Sequence, residues 1–193
     1  MRVPLFPLRT VLFPGGPLRL RIFETRYLDM VSRCLREDSA FGVCLIRRGQ
    51  ETGRPAEPHA VGTLARIVDW SRCADGLLGL VAIGEQRFRI QDTEVGANAL
   101  LWGEVDLLED PPGNTLPEQG PALRRTLDEI LRLPGLGYEH VTRDERNALW
   151  LGCRLAEILP LDLPQRQRLL ELDDPLERLR ALQPMVPDLR LDD

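Results

Sequence analysis

The hydrophobic period of this chain changes for good near residue 110, and that change constrains the fold more than any single motif does. Up to there, apolar residues tend to recur at every second position. Leu18, Leu20 and Ile22 alternate with Arg19 and Arg21, the spacing that turns one face of a strand to a core and the other to water. Phe41-Gly42-Val43-Cys44-Leu45-Ile46 is a short apolar run ahead of Arg47-Arg48-Gly49. Residues 61–70, a turn at Ala74-Asp75-Gly76 and residues 77–83 predict a hairpin. Phe88 and Ile90 alternate with Arg87, Arg89 and Gln91, so Arg87 and Arg89 share a strand face; they either meet acidic groups or, the reading preferred, form the solvated side of a half-buried strand. Leu101, Val105 and Leu107 alternate with Trp102, Glu104 and Asp106. Residues 48–59, rich in glycine, proline and charge, predict an exposed loop that carries His59.

One helix interrupts the strands. Tyr27, Met30, Val31, Cys34 and Leu35 fall at three- and four-residue spacings after Thr25, an apolar stripe. Several short strands with one helix favour a closed or nearly closed sheet with the helix across one end, since closure removes exposed edges. Glu109-Asp110-Pro111-Pro112-Gly113-Asn114 then ends pairing, because consecutive prolines offer no backbone donors. Beyond it Leu123, Leu127, Ile130 and Leu131 share a helical face. Thr142-Arg143-Asp144-Glu145 matches a capping box and predicts a helix carrying Leu149, Cys153, Ala156 and Leu159 inward. Asp174-Pro175-Leu176-Glu177 is a further start signal, with Leu176, Leu179 and Leu182 on the buried side. Residues 185–193 are expected to fray. The fold class is therefore α+β, with a β-rich part over 1–110 and a helical part over 111–193.

Composition removes whole classes of chemistry. The Lys plus Arg count of 25 is arginine throughout. Without lysine there is no Walker A loop, no Ser-Lys dyad and no Schiff base. The four cysteines form no C-x-x-C pair, and buried thiols in a reducing compartment are the reading that follows. His59 and His140 have no metal-binding spacing, and Ser32, Ser39 and Ser71 lie outside any G-x-S-x-G elbow. Neither cofactor nor metal is expected. A chain of this length buries about 70% of its unfolded surface and needs no staple. Met1-Arg2-Val3-Pro4 meets Pro7 before any long apolar run, so no signal peptide or membrane span is expected and cytoplasm is the expected compartment.

The opening block closely resembles the start of the Lon protease substrate-recognition domain. It comprises Pro4-Leu5-Phe6-Pro7-Leu8-Arg9, Val11-Leu12-Phe13-Pro14-Gly15 and Ile22-Phe23-Glu24-Thr25-Arg26-Tyr27. Phe41-Gly42-Val43 sits where that family has its next strand. Gly62-Thr63 with Ala65 and Ile67 is similar to its G-T-x-A-x-I strand. Gly84-Glu85-Gln86-Arg87-Phe88-Arg89-Ile90 is similar to its G-x-x-R-F-x-I strand, and Gln167-Arg168-Leu169-Leu170-Glu171 with Asp174-Pro175-Leu176-Glu177 resembles its helical tail. The resemblance implies a PUA-like β pseudo-barrel with one crossing helix, followed by a C-terminal helical subdomain. It implies the holding of unfolded or tagged polypeptide, in a family that includes stand-alone versions without ATPase or peptidase modules.

Five residues stand out as candidates for partner binding: Leu5, Phe6, Phe13, Glu24 and Arg26. The phenylalanines and leucines bracketed by proline are either apolar anchors for a peptide or core residues of an edge strand. Glu24 and Arg26 flank the start of the first helix, where a carboxylate also complements the helix dipole. The function expected is a non-catalytic polypeptide-binding module. Its partners would be unfolded or extended polypeptide, or a protease or chaperone, with no membrane; the oligomeric state stays open. The alternative is an RNA-binding PUA-like domain. A net charge of −5 opposes it, since phosphate binding draws on cations. A small enzyme without a recognisable motif is the third possibility.

Overall fold

The computed structural model describes residues 1–111 and 114–191; Pro112 and Gly113 of the expected boundary, and Asp192 and Asp193 of the tail, lie outside the described residues. The elements run β1 (Arg2–Leu8), β2 (Pro17–Ile22), α1 (Thr25–Glu37), β3 (Phe41–Arg48), β4 (Glu57–Arg72), β5 (Leu78–Val95) and β6 (Leu101–Leu107), then α2 (Pro121–Leu131), α3 (Ala148–Ile158), α4 (Leu163–Glu171) and α5 (Pro175–Leu182). Turns of 3₁₀ helix lie at Tyr138–His140 and Gln183–Met185. The fold is that of a β pseudo-barrel followed by helices, as the resemblance implies.

β5 closes the barrel because its 18 residues are long enough to pair twice. Residues 78–83 lie between β2 and β4, while residues 88–95 pair with β6. β6 continues to β1, β1 runs parallel to β3, and β3 leads through β4 back to β5. Register shifts in β4 and β5 supply the local bends that closure needs. Two glycines make room at the centre. A Cβ on Gly42 or on Gly62 would lie 2.8 Å from Phe88 Cζ, so the wholly buried Phe88 ring occupies the space both leave.

α1 crosses one end of the barrel. Tyr27, Met30, Val31 and Cys34 join Phe6, Phe41, Val43 and Ala65 in one core. Leu35 departs from the expected stripe and is 44% exposed. The segment between β1 and β2 is held from several sides. The Gly15 amide donates to the Gly84 carbonyl and the Gly84 amide to the Gly16 carbonyl, Thr63 Oγ1 donates to the Leu12 carbonyl at 2.6 Å, and Arg154 Nη2 donates to the Pro14 carbonyl at 3.0 Å.

A second core spans the change of period. Val11, Phe13, Leu45 and Val61 from the β-rich part pack with Leu151, Leu155, Leu170 and Leu179 from the helices. One buried arginine, Arg87, fastens that junction, and a second, Arg178, braces its helical side. Arg87, expected on a solvated face with Arg89, has no exposed surface; only Arg89 is exposed. Arg87 Nε donates to Asp110 at 2.8 Å, and its Nη1 donates to the Leu170 and Leu172 carbonyls at 2.8 and 3.0 Å. Arg178 Nε and Nη2 donate to the Leu169 and Leu172 carbonyls at 2.9 and 2.6 Å. The carbonyls at the end of α4, which have no partner within the helix, thus receive guanidinium donors. The alternation rule fails at Arg87 because the face it calls solvent is covered by α4.

Three more expectations are corrected. The helix expected from Thr142 begins at Ala148, where Asn147 accepts from the Leu149 and Trp150 amides. Its inward face shifts accordingly to Leu151, Cys153, Leu155 and Ala156, and Glu145 pairs with Arg143 instead. His59, expected in the 48–59 loop, lies in β4. The tail through residue 191 is anchored. Leu189 is 4% exposed, and Asp188 accepts from the Ala122 and Leu123 amides at 3.1 Å each. Asp188 thereby caps α2, whose own N-cap is Gly120. The Asp174 start holds as expected, with Asp174 accepting from the Leu176 amide.

Candidate functional site

β2 is an edge. Among the described residues it pairs only with β5, so alternate backbone groups on its other side have no strand partner. Its inner face carries Leu18, Leu20 and Ile22 opposite Ala82, Leu80 and Leu78; its outer face carries Arg19 and Arg21 opposite Val81 and Gly79. After Ile22 the alternation breaks at Phe23, which is 57% exposed, and Glu24 then forms the N-cap of α1.

A cleft of about 300 Å³ runs beside this strand. Phe6, Leu8 and Tyr27 line it from β1 and α1, β2 with Phe23 and Glu24 lines it from one side, and Glu51 and Thr52 close it from the loop after β3. Phe6 and Tyr27 stack with ring centroids 3.8 Å apart and planes 18° apart, which gives the cleft a rigid aromatic base. Burial pushes the Tyr27 phenol up to about 12, so it stays neutral at ordinary pH.

Charge in the cleft is already organised. Glu24 pairs with Arg26 Nη2 at 2.9 Å, while Arg26 Nη1 donates to the Ala99 carbonyl at 3.2 Å. Arg26 also lies 4.7 Å over the Tyr27 ring. Glu51 accepts from the Arg9 amide. These contacts fix the start of α1 and the loop, and so fix the shape of the cleft.

The structure brings only some of the expected residues together. Phe6 and Glu24 line the cleft, and Arg26, 6% exposed, braces Glu24 beside it. Leu5 and Phe13 have no exposed surface and belong to two separate cores. Leu20, Phe23, Tyr27 and Glu51 were not singled out by sequence. Phe23 carries one usable signal, an apolar residue out of phase with the strand before it.

Nothing in the cleft resembles a nucleophile with a base. Burial raises the thiols of Cys34, Cys44 and Cys153, the last to about 11, which makes them inert. Among the described residues no cluster of metal-ligand type is present, and no helix is long and apolar enough to cross a membrane. A larger cleft of about 440 Å³ lies by β4 and β5, lined by Arg47, Glu57, His59 and Asp92. Arg47 and Glu57 already pair there, and the cleft does not border the open strand edge.

Comparison with known proteins agrees with this architecture. A family model described as the ATP-dependent protease La (LON) substrate-binding domain matches residues 2–187. The chain is similar to a Lon N-terminal domain protein from Xanthomonas campestris, with a TM-score of 0.75 and 42% identity over 95% of this chain and 98% of that one. It shares its fold with the N-terminal domain of a Mycobacterium avium complex Lon protease, at a TM-score of 0.67 and 21% identity over 98% of this chain and 100% of that one. A Lon protease of Cytophaga hutchinsonii is 26% identical over 207 residues, taking in 98% of this chain and 24% of that protein. Lon protease 2 of Myxococcus xanthus is 31% identical over 136 residues, or 68% of this chain and 16% of that protein. The chain thus spans about a quarter or less of these curated relatives.

Proposed function

The chain belongs to the Lon protease substrate-binding domain family, and on that premise we propose that it grips polypeptide in extended form along β2 and performs no chemistry of its own. The observation that carries this reading is the open edge of β2 beside a cleft with an aromatic base. An added strand would satisfy the free backbone groups whatever its sequence, and its side chains would alternate between the cleft and the outer face. Phe6, Leu8, Leu20, Phe23 and Tyr27 would cover its apolar residues. That combination suits a binder of many unfolded chains. The lack of lysine and the buried thiols support a role without catalysis.

A protease or chaperone that receives the captured chain belongs to the same proposal. So does a cytoplasmic location, supported by four cysteines held as free thiols. The RNA reading finds no support at this cleft. Glu24 and Glu51 place carboxylates in it, and the net charge of −5 opposes phosphate.

Isothermal titration with a reduced, carboxymethylated protein that stays unfolded tests the reading. Saturable binding with a negative heat-capacity change is expected, since apolar surface is buried. Absence of binding up to about millimolar concentration, a floor of about −4 kcal/mol, would remove it.

A further inference from the structure

β2 presents two unlike faces along its open edge, and their difference dictates what can pair with it. Leu20 and Ile22 face the core and the cleft, while Arg19 and Arg21 point outward with side chains 49% and 62% exposed. The carboxylates they meet, Glu139 and Asp75, are themselves 51% and 41% exposed. Such solvated pairs are worth little and exchange readily. The cleft itself is bordered by both signs, Arg19 and Arg21 along β2 and Glu24 and Glu51 beyond it.

Resting on the polypeptide-binding reading above, we propose that the β2 edge selects segments in which apolar and acidic residues alternate, and discriminates against basic segments and against a second copy of itself. In an antiparallel pair, directly opposed residues lie on the same face of the sheet. A segment in phase with β2 therefore sets one half of its side chains on the aromatic base and the other half beside Arg19 and Arg21. Glutamate or aspartate in the outer phase gains a cross-strand charge pair, and lysine or arginine there meets like charge. In the opposite phase acidic groups would be set against the stacked rings of Phe6 and Tyr27, where a carboxylate loses solvation.

The same geometry bears on self-pairing. Antiparallel registers that keep Leu18, Leu20 and Ile22 of two copies on one face, and overlap most of the strand, put Arg19 opposite Arg19 or Arg21 of the second copy. Opposed like charges are an edge protection seen widely in sheets. The edge is left open to chains of complementary pattern.

Two short blocked peptides test this by fluorescence anisotropy, one alternating valine with glutamate and the other alternating valine with lysine. The wild-type chain is expected to bind the glutamate peptide about ten-fold more tightly, from two opposed positions. The charge-reversed double variant Arg19→Glu, Arg21→Glu is expected to prefer the lysine peptide. Equal affinity for the two peptides, or a preference that survives the charge reversal, overturns the selectivity. If the unfolded protein of the titration above still binds, only the selectivity falls. If neither it nor either peptide binds, the polypeptide-binding reading falls with it.

Discussion

Replacing Arg87 by methionine should lower the free energy of unfolding by about 3–5 kcal/mol, the usual cost of removing one partner of a buried ion pair. The guanidinium has no exposed surface and Asp110 is 15% exposed, so the carboxylate would stay behind in a largely dry site. The Leu170 carbonyl would lose its donor from Arg87 as well. Arg87→Lys should recover little, because one ammonium cannot serve a carboxylate and two carbonyls in the geometry of the fork. Urea unfolding followed by tryptophan fluorescence measures the loss. Trp102 reports from the β-rich part and Trp150 from the helices. We propose that the change of period near residue 110 bounds two kinds of secondary structure and not two units of cooperativity, because Phe13, Val61 and the helices share one core. A single transition seen alike by fluorescence and circular dichroism is the expected result. A loss for R87M below about 1 kcal/mol would mean that Arg87 is no fastener.

The second large effect falls on binding. Phe23→Asp should weaken the grip on unfolded polypeptide by ten-fold or more, about 1.4 kcal/mol, because exposed aromatics commonly anchor interfaces. Phe23 is 57% exposed and borders the cleft. Its replacement should leave stability within about 0.5 kcal/mol, as for most surface changes. Phe6→Ala is a poor substitute for this test. Phe6 is 6% exposed and stacked on Tyr27, so its loss would unsettle the core as well as the cleft. Unchanged affinity for F23D would remove Phe23 from the binding surface.

The strands were legible because a half-buried sheet writes itself with a period of two. The same rule failed at Arg87, whose covering carbonyl at Leu170 comes from 83 positions further along. Thr142 to Glu145 has the right letters for a capping box, but residues 114–116 pair with the segment before α3. The Leu116 amide donates to the Arg146 carbonyl at 2.7 Å and the Ala148 amide to the Asn114 carbonyl at 3.0 Å. With a turn at residues 145–146, closed by the Asn147 amide on the Asp144 carbonyl, that pairing delays the helix until Asn147, and tertiary contact overrides the local signal. At the cleft, period two also explains why Leu5 and Phe6 part company. Neighbours on β1 point to opposite faces, so Leu5 enters one core and Phe6 reaches α1 and the cleft. Sequence named the pair without saying which member faces which way.

Hydrogen exchange on the complex with unfolded polypeptide tests the central claim most directly. Slowed exchange at backbone amides of residues 18–24, with little change along β4 near His59, is what strand addition at β2 predicts. Protection that spares residues 18–24 while binding persists would place the polypeptide elsewhere and contradict it.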